Sequence, residues 1–299
     1  MVATSKPLKY AYYPGCVARG ACGELYSSTA LISAALGIEL VELKNASCCG
    51  AGTLKEDSQL LQDAVNARNI ALAEEKELTL LTQCSTCQGV LGAVNEKLRA
   101  AKSGYRDQIN DLLAQAGHHY GGSVDVRHLL WILIEDFGLD RLRERVKRSL
   151  AGLRCASFYG CYLLRAQLSQ RVDDPHHPRS LEDLFEAVGA TAVDYGGRTK
   201  CCGFPLSSYD TRTSFAMAAA RIQEAIDAGA DCLVTPCPLC HLNLDSRQPE
   251  VEQAAGRKFG MPVLHLSQLV GLALGLAPDQ LGMQHHIVST RSVIARLGL

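Results

Sequence analysis

Two hydrophobic periods alternate along this chain, and the switches between them recur. Residues 10–15 read as a short strand that ends in the Pro14-Gly15 turn, with Cys16 just past it. Residues 24–36 have helical composition and stop at Gly37. Residues 38–43 alternate apolar and polar as a half-buried strand does. They run into Cys48-Cys49-Gly50-Ala51-Gly52, whose glycines permit a left-handed backbone and close approach. Asp57 or Ser58 can cap a helix that runs to about residue 77. Residues 78–82 form the next strand and deliver Cys84, and a helix starts at Cys87.

Residues 103–123 read as a helix and a loop, 124–126 as a strand, and 128–136 as a helix with Trp131 on its apolar face. A charged helix over 140–150 links the halves, and then the pattern replays. A strand over 155–160 ends in glycine before Cys161. A helix over 180–188 has Ser180 as its cap, and a strand over 190–194 leads to a second Cys-Cys-Gly loop. A helix over 211–228 and a strand over 231–235 complete the match, the strand delivering Cys237. Other positions repeat too: Ala11 and Gly15 with Ala156 and Gly160, Arg68 with Arg221, Thr82 with Thr235, and Val126-x-His128-Leu129 with Val263-x-His265-Leu266. An internal repeat outranks local propensity as a guide to fold. The expected fold is α/β. Two pseudo-symmetric repeats, residues 1–150 and 151–299, each hold a short, mainly parallel sheet flanked by helices and one Cys-Cys-Gly site.

The bulk numbers exclude more than they assign. The chain has 299 residues, is 47% hydrophobic and carries a net charge of −1, which offers nothing to nucleic acid. The start has no apolar signal-peptide core, and no run reaches the roughly 20 apolar residues that span a bilayer. The longest apolar stretch, residues 264–277, is broken by His265, Ser267 and Gln268 and reads as core or a subunit interface. The expected place is cytoplasmic, with peripheral attachment to the cytoplasmic membrane face open.

The 13 cysteines change the picture. Without a signal peptide they point to a reducing compartment, where clustered cysteines bind metals or do redox work. Ten fall into two sets: Cys16, Cys48, Cys49, Cys84 and Cys87, and then Cys161, Cys201, Cys202, Cys237 and Cys240. In both sets 34 residues separate the pair from the C-x-x-C, while the lone cysteine precedes the pair by 31 residues in one set and 39 in the other. Thiolates select iron–sulfur clusters or zinc. Zinc needs four ligands and favours C-x-x-C pairs over adjacent cysteines. A fifth thiolate can bridge two irons, so each set reads as the shell of a cluster that is not a plain cube. A structural zinc site, in one set or both, is the competing reading.

The doubled pattern, with Tyr13-Pro14-Gly15-Cys16, Phe158-Tyr159-Gly160-Cys161, Pro236-Cys237-Pro238-Leu239-Cys240 and Asn243-Leu244-Asp245, resembles the CCG domain found in the B subunit of heterodisulfide reductase. The resemblance implies that each set holds a non-cubane [4Fe–4S] cluster on five cysteines, described as fused [3Fe–4S] and [2Fe–2S] parts. It also implies a reaction centre at the second set, where the family takes a substrate sulfur onto iron. Cys84-Ser85-Thr86-Cys87-Gln88-Gly89, Phe158 to Arg165 and His286-Ile287-Val288-Ser289-Thr290 look more like a second branch. That branch is the third subunit of succinate dehydrogenases without haem-bearing membrane helices, which passes electrons towards quinone. A similar subunit serves sulfur-oxidising heterodisulfide-reductase-like complexes.

The chain has no G-x-G-x-x-G after a strand, no P-loop and no C-x2-C-x2-C ferredoxin run, so its electrons must come from another protein. The expected partners are a flavoprotein and an iron–sulfur subunit, with a quinone or a disulfide/thiol couple as acceptor. Among single residues, Cys155 and Cys232 read as core, Cys22 as a non-ligand, and Arg68 and Arg221 as charge-balancing or structural. His128 and His265 read as caps or core, with proton delivery the sharper role for His265.

Overall fold

The computed structural model describes residues 7–51, 54–101, 103–165 and 172–299. The first half contains β1 (Leu8–Tyr13), β2 (Ile38–Glu42), β3 (Leu80–Thr82) and β4 (Val126–His128), all parallel, in the spatial order β2-β1-β3-β4. The second half repeats this with β5 (Arg154–Ser157), β6 (Thr191–Val193), β7 (Cys232–Thr235) and β8 (Val263–His265), in the order β6-β5-β7-β8. The α/β two-repeat fold read from the sequence is the one found.

Parallel strands covered on both faces carry apolar side chains on both. In β1, Tyr10 and Tyr12 enter one core while Ala11 and Tyr13 enter the other. In β7, Cys232 and Val234 face the first core and Leu233 the second. Each core draws on both halves. The first gathers Ile32, Trp131, Phe185 and Leu269. The helix Gly23–Leu36 packs on Leu266–Ala273 of the other half, and Ser180–Ala187 packs on the short helix Leu129–Trp131. The apolar stretch after residue 264 is therefore core, fully buried from Leu264 through Leu274.

Several elements differ from the sequence expectation. β4 starts at Val126, because Val126 pairs with Leu80 and His128 with Thr82. After Trp131 the helix widens into a π-type turn, Ile132–Gly138, and the linking helix ends at Arg145. Ser180 is not the cap of its helix. Arg179 holds that position, and the backbone N–H and hydroxyl of Ser180 both bond the Asp173 carboxylate. Ser58 caps Gln59–Glu74 as expected, its hydroxyl accepting from the Leu61 N–H at 3.2 Å. Among the described residues, no helix is long and apolar enough to cross a membrane.

Candidate metal centres

In each half the connections leave the central strand pair, β1/β3 or β5/β7, in opposite directions. The crevice beyond the carboxyl ends of such a pair is where open α/β sheets hold their ligands. Cys16 follows β1, Cys48-Cys49 follows β2, and Cys84 follows β3 as the cap residue of helix Ser85–Ala100. Cys161, Cys201-Cys202 and Cys237 follow β5, β6 and β7 in the same way.

All ten cysteines of the two sets come together. Cys48 Sγ lies 3.4 Å from Cys16 Sγ, and Cys49 Sγ lies 3.6 Å from Cys87 Sγ. Cys48 also touches Cys49, and Cys84 touches Cys87. In the second set, Cys161 and Cys201 are 4.0 Å apart, with Cys202 against Cys240 and Cys240 against Cys237. Cys84 and Cys237 meet across the two halves at 3.9 Å. The sulfurs thus form one unbroken row.

Glycines make this packing possible. Gly50 and Gly203 adopt left-handed φ of 69° and 90°, and each turns its N–H back onto the first cysteine of its pair, at 3.4 and 3.3 Å. A Cβ on Gly203 would sit 2.6 Å from the Ser214 carbonyl oxygen. Gly15 and Gly160, at φ 80° and 68°, underlie the other end of each set. A Cβ there would stand 3.1 Å from Cys87 Sγ and 3.0 Å from Cys240 Sγ.

Five sulfurs this close cannot all be thiolates without a cation. The Cys16 sulfur, then Cys49 and the Gly50 N–H, hold Cys48 down at about 2. Cys161, Cys202 and the Gly203 N–H do the same for Cys201. The Cys48 sulfur, together with burial, pushes Cys49 up to about 12, and the neighbouring sulfurs and burial push Cys16, Cys87, Cys161 and Cys240 up as well. One thiolate is favoured in the first set and two in the second, where burial is outweighed by the Cys240, Cys84 and Thr86 side chains, which hold Cys237 down; the rest require metal charge to ionise. An all-sulfur shell of five donors, with a glycine floor that a methyl group would fill, fits an iron–sulfur centre.

A cavity of about 230 Å³ opens on the second set, walled by Tyr159, Tyr162, Phe204, Pro205, Tyr209 and Leu239. One of about 260 Å³ opens on the first. Ala51, Phe204, Ser208 and Leu239 line both. Tyr162 reaches the first half because Gly89 leaves room for its ring.

The remaining candidates lie behind the sulfurs. His265 is fully buried and caps Leu266–Ala273. Its Nδ1 faces Ser267, and its Nε2 lies 3.2 Å from the carbonyl oxygen of Gln83, which precedes Cys84. His128 mirrors it, with Nε2 3.0 Å from the carbonyl oxygen of Pro236, which precedes Cys237. Because Nδ1 of each ring accepts a backbone N–H, Nε2 carries the proton and donates. Both nitrogens of His265 are thus engaged in structure. Arg68 donates to the Asn45 carbonyl and the Ser47 hydroxyl, bracing the loop ahead of Cys48, while Arg221 pairs with Glu224 at 2.9 Å. Cys155 and Cys232 face each other in the core at 3.7 Å.

Sequence reasoning missed Asn66 and gave no role to Asn243, held only within the Asn243-Leu244-Asp245 motif; their side-chain amides donate to the carbonyls of Cys49 and Cys202 at 3.0 and 2.8 Å. The two stand at unequal distances from their pairs, so the repeat gave no signal for them. It also missed Thr86, whose hydroxyl oxygen lies 3.4 Å from Cys237 Sγ. Thr82 and Thr235 were visible in the repeat, and each accepts from the N–H of the cysteine two residues on, at 3.3 Å.

A family model for the CCG cysteine-rich domain matches residues 10–92 and 155–245. The chain is 39% identical over 280 residues to the 8-methylmenaquinol:fumarate reductase membrane anchor subunit of Wolinella succinogenes, covering 94% of this chain and 97% of that one. It is 33% identical over 292 residues to the B subunit of the ferredoxin:CoB-CoM heterodisulfide reductase of Methanosarcina mazei, covering 97% of each. A protein of Archaeoglobus profundus, named as similar to the heterodisulfide reductase B subunit, is 36% identical over 280 residues, 91% of this chain and 93% of that one. Among solved structures, a hypothetical protein from Helicobacter pylori superposes with a TM-score of 0.77 at 17% identity. The match covers 95% of this chain and 52% of the other, and it is a likeness of fold.

Proposed function

This chain belongs to the CCG cysteine-rich domain family, and on that premise we propose that it is the iron–sulfur electron-transfer subunit of a multi-subunit oxidoreductase. The observation that carries the reading is the convergence of five sulfurs in each half, joined into one row at Cys84 and Cys237.

Cys16, Cys48, Cys49, Cys84 and Cys87 would hold one non-cubane four-iron cluster, and Cys161, Cys201, Cys202, Cys237 and Cys240 the other. When bound, such clusters take up and release electrons singly. The protein's part is to fix ten sulfurs, to close the floor of each set with glycine, and to keep water from the buried thiolates. Electrons enter from a flavoprotein and an iron–sulfur partner. The division at residues 150/151 makes each half the carrier of one cluster.

Quinone is the acceptor we favour. The support is the 39% identity to a subunit named for menaquinol and fumarate, and the aromatic, apolar mouth over the second set. Contact with the membrane would then be peripheral, on its cytoplasmic face. The second reading is reduction or oxidation of a disulfide, supported by the relatives named for heterodisulfide reductase and by a cavity walled partly by sulfur. Purification of the complex decides between them. A succinate or fumarate flavoprotein partner, with quinol-dependent turnover, supports the first; a flavoprotein active only with a thiol–disulfide couple supports the second. Bound zinc without acid-labile sulfide in the anaerobically prepared protein would sink both.

A further inference from the structure

Away from the ten cysteines, a buried carboxylate and a half-buried one stand at the seam between the halves. Asp245 is 1% exposed and the side chain of Glu24 11%. Among the described residues, neither has a lysine or arginine partner. Their ion-pair neighbours are imidazoles: His241 Nε2 lies 3.8 Å from Glu24 Oε1 and 4.0 Å from Asp245 Oδ2. The Cys22 sulfur, a ligand nitrogen of His241 and a Glu24 oxygen all lie within 4.8 Å of one another. The backbone N–H groups of Ile287 and Val288 reach Asp245 at 3.0 and 3.3 Å, and Glu24 stands in the first turn of its helix. Those dipoles relieve part of two charges.

The spacing is informative. At 3.8–4.0 Å these atoms are too far apart to bond one another. Ligands at ~2.0–2.3 Å from a tetrahedral ion stand roughly 3.3–3.8 Å from each other. Buried charges are paired or hold metals. We propose that Cys22, Glu24 and His241 bind one divalent cation of the zinc class, with water completing the shell. Asp245 and His286 stand behind His241: Gln268 accepts from the His265 N–H and donates to His286 Nε2, so His286 carries its proton on Nδ1, which faces Asp245 Oδ1 at 3.6 Å.

A surface cavity lined by Ser27, Asp279, Gln284 and His285 reaches Glu24, the least buried of the three ligands. The ion ties the start of helix Gly23–Leu36 in one half to Pro238–His241 in the other, directly beside Cys240. It is a clamp behind the second cluster and takes no part in electron transfer.

Metal analysis and zinc X-ray absorption on the cluster-loaded protein test this. The expected result is one zinc per chain, with one sulfur at about 2.3 Å and three nitrogen or oxygen ligands at about 2.0–2.1 Å. Cys22→Ser and Glu24→Gln should each lower zinc while iron and sulfide stay at the wild-type ratio, which also reports that the variants fold. Wild-type protein that takes up no zinc after anaerobic dialysis against Zn²⁺ overturns the proposal. So does a zinc shell made of sulfur alone, which would place the ion in a cysteine set.

Discussion

Cys84 Sγ and Cys237 Sγ lie 3.9 Å apart, at equivalent positions of the two halves, with each cysteine the cap of its helix. The two cysteine sets therefore share a sulfur–sulfur contact, with no side chain between. In the proposed function the row from Cys16 to Cys161 would be the path for electrons, with its midpoint at this pair.

That contact gives the first prediction. Cys237→Ser should disturb the electron paramagnetic resonance signal of the first-half centre as well as its own. In the wild type, reduction of both centres should give a spectrum broadened by their mutual interaction. A Cys237→Ser protein whose first-half signal is unchanged in shape and position would show the two sites to be independent.

The glycine floors give the second. Gly160→Ala puts a methyl group 3.0 Å from Cys240 Sγ at a φ of 68°. The strain of a left-handed alanine costs on the order of 1–2 kcal/mol, and the methyl lies against a ligand sulfur. Iron and sulfide should fall to about half of wild type if each set holds one four-iron centre, with Gly15→Ala removing the other half. Colorimetric iron and sulfide assays on both variants read this directly.

The buried histidines give the third. Burial, then the His265 charge, pushes His128 down from the ordinary 6.5 to about 3, and burial pushes His265 down to about 4. Both stay neutral when folded, while the unfolded chain takes up their protons below about 6.5. Their contribution to stability is complete above pH 6.5 and is lost as pH falls through that value towards 3. Thermal melts of the metal-free protein should therefore drop across this window, with a shallower slope in His128→Asn. At neutral pH, His265→Ala loses a cap and strands the Gln83 carbonyl, a cost of roughly 3 kcal/mol. Its turnover should show no new pH dependence, because no free nitrogen was there to carry a proton.

Tyr209 gives the fourth. It is 73% exposed at the mouth over the second set. Tyr209→Ala should leave iron content and the melting temperature intact and raise the KM for a quinone acceptor about fivefold, the equivalent of ~1 kcal/mol of aromatic contact. An unchanged KM would move the acceptor to another face.

The sequence made the repeat, the parallel sheets and the ten sulfurs legible because each depends on local rules. Strand, glycine and cysteine recur at fixed offsets, and Gly50 and Gly203 mark a turn that no other residue makes as easily. What it hid is non-local. The contact of Cys84 with Cys237, the packing of Gly23–Leu36 on Leu266–Ala273, and the approach of Cys22 and Glu24 to His241 join residues 150 or more apart. The Ser180 cap failed because the Asp173 carboxylate, across a Pro-containing loop, accepts from the Arg179 and Ser180 N–H groups and from the Ser180 hydroxyl, and so caps the helix start from outside the turn.

The reciprocal histidine bonds carry a last consequence. His128 holds the peptide before Cys237, and His265 holds the peptide before Cys84. Two identical single-repeat chains meeting about a twofold axis would make both bonds at once, as any isologous dimer does. The peptide joining the halves converts that encounter into an intramolecular one, so assembly no longer depends on how much protein a cell contains. Duplication followed by fusion is the economical origin for such an arrangement. Each half keeps a mouth of its own, while each depends on a histidine of the other for the peptide ahead of its cysteine.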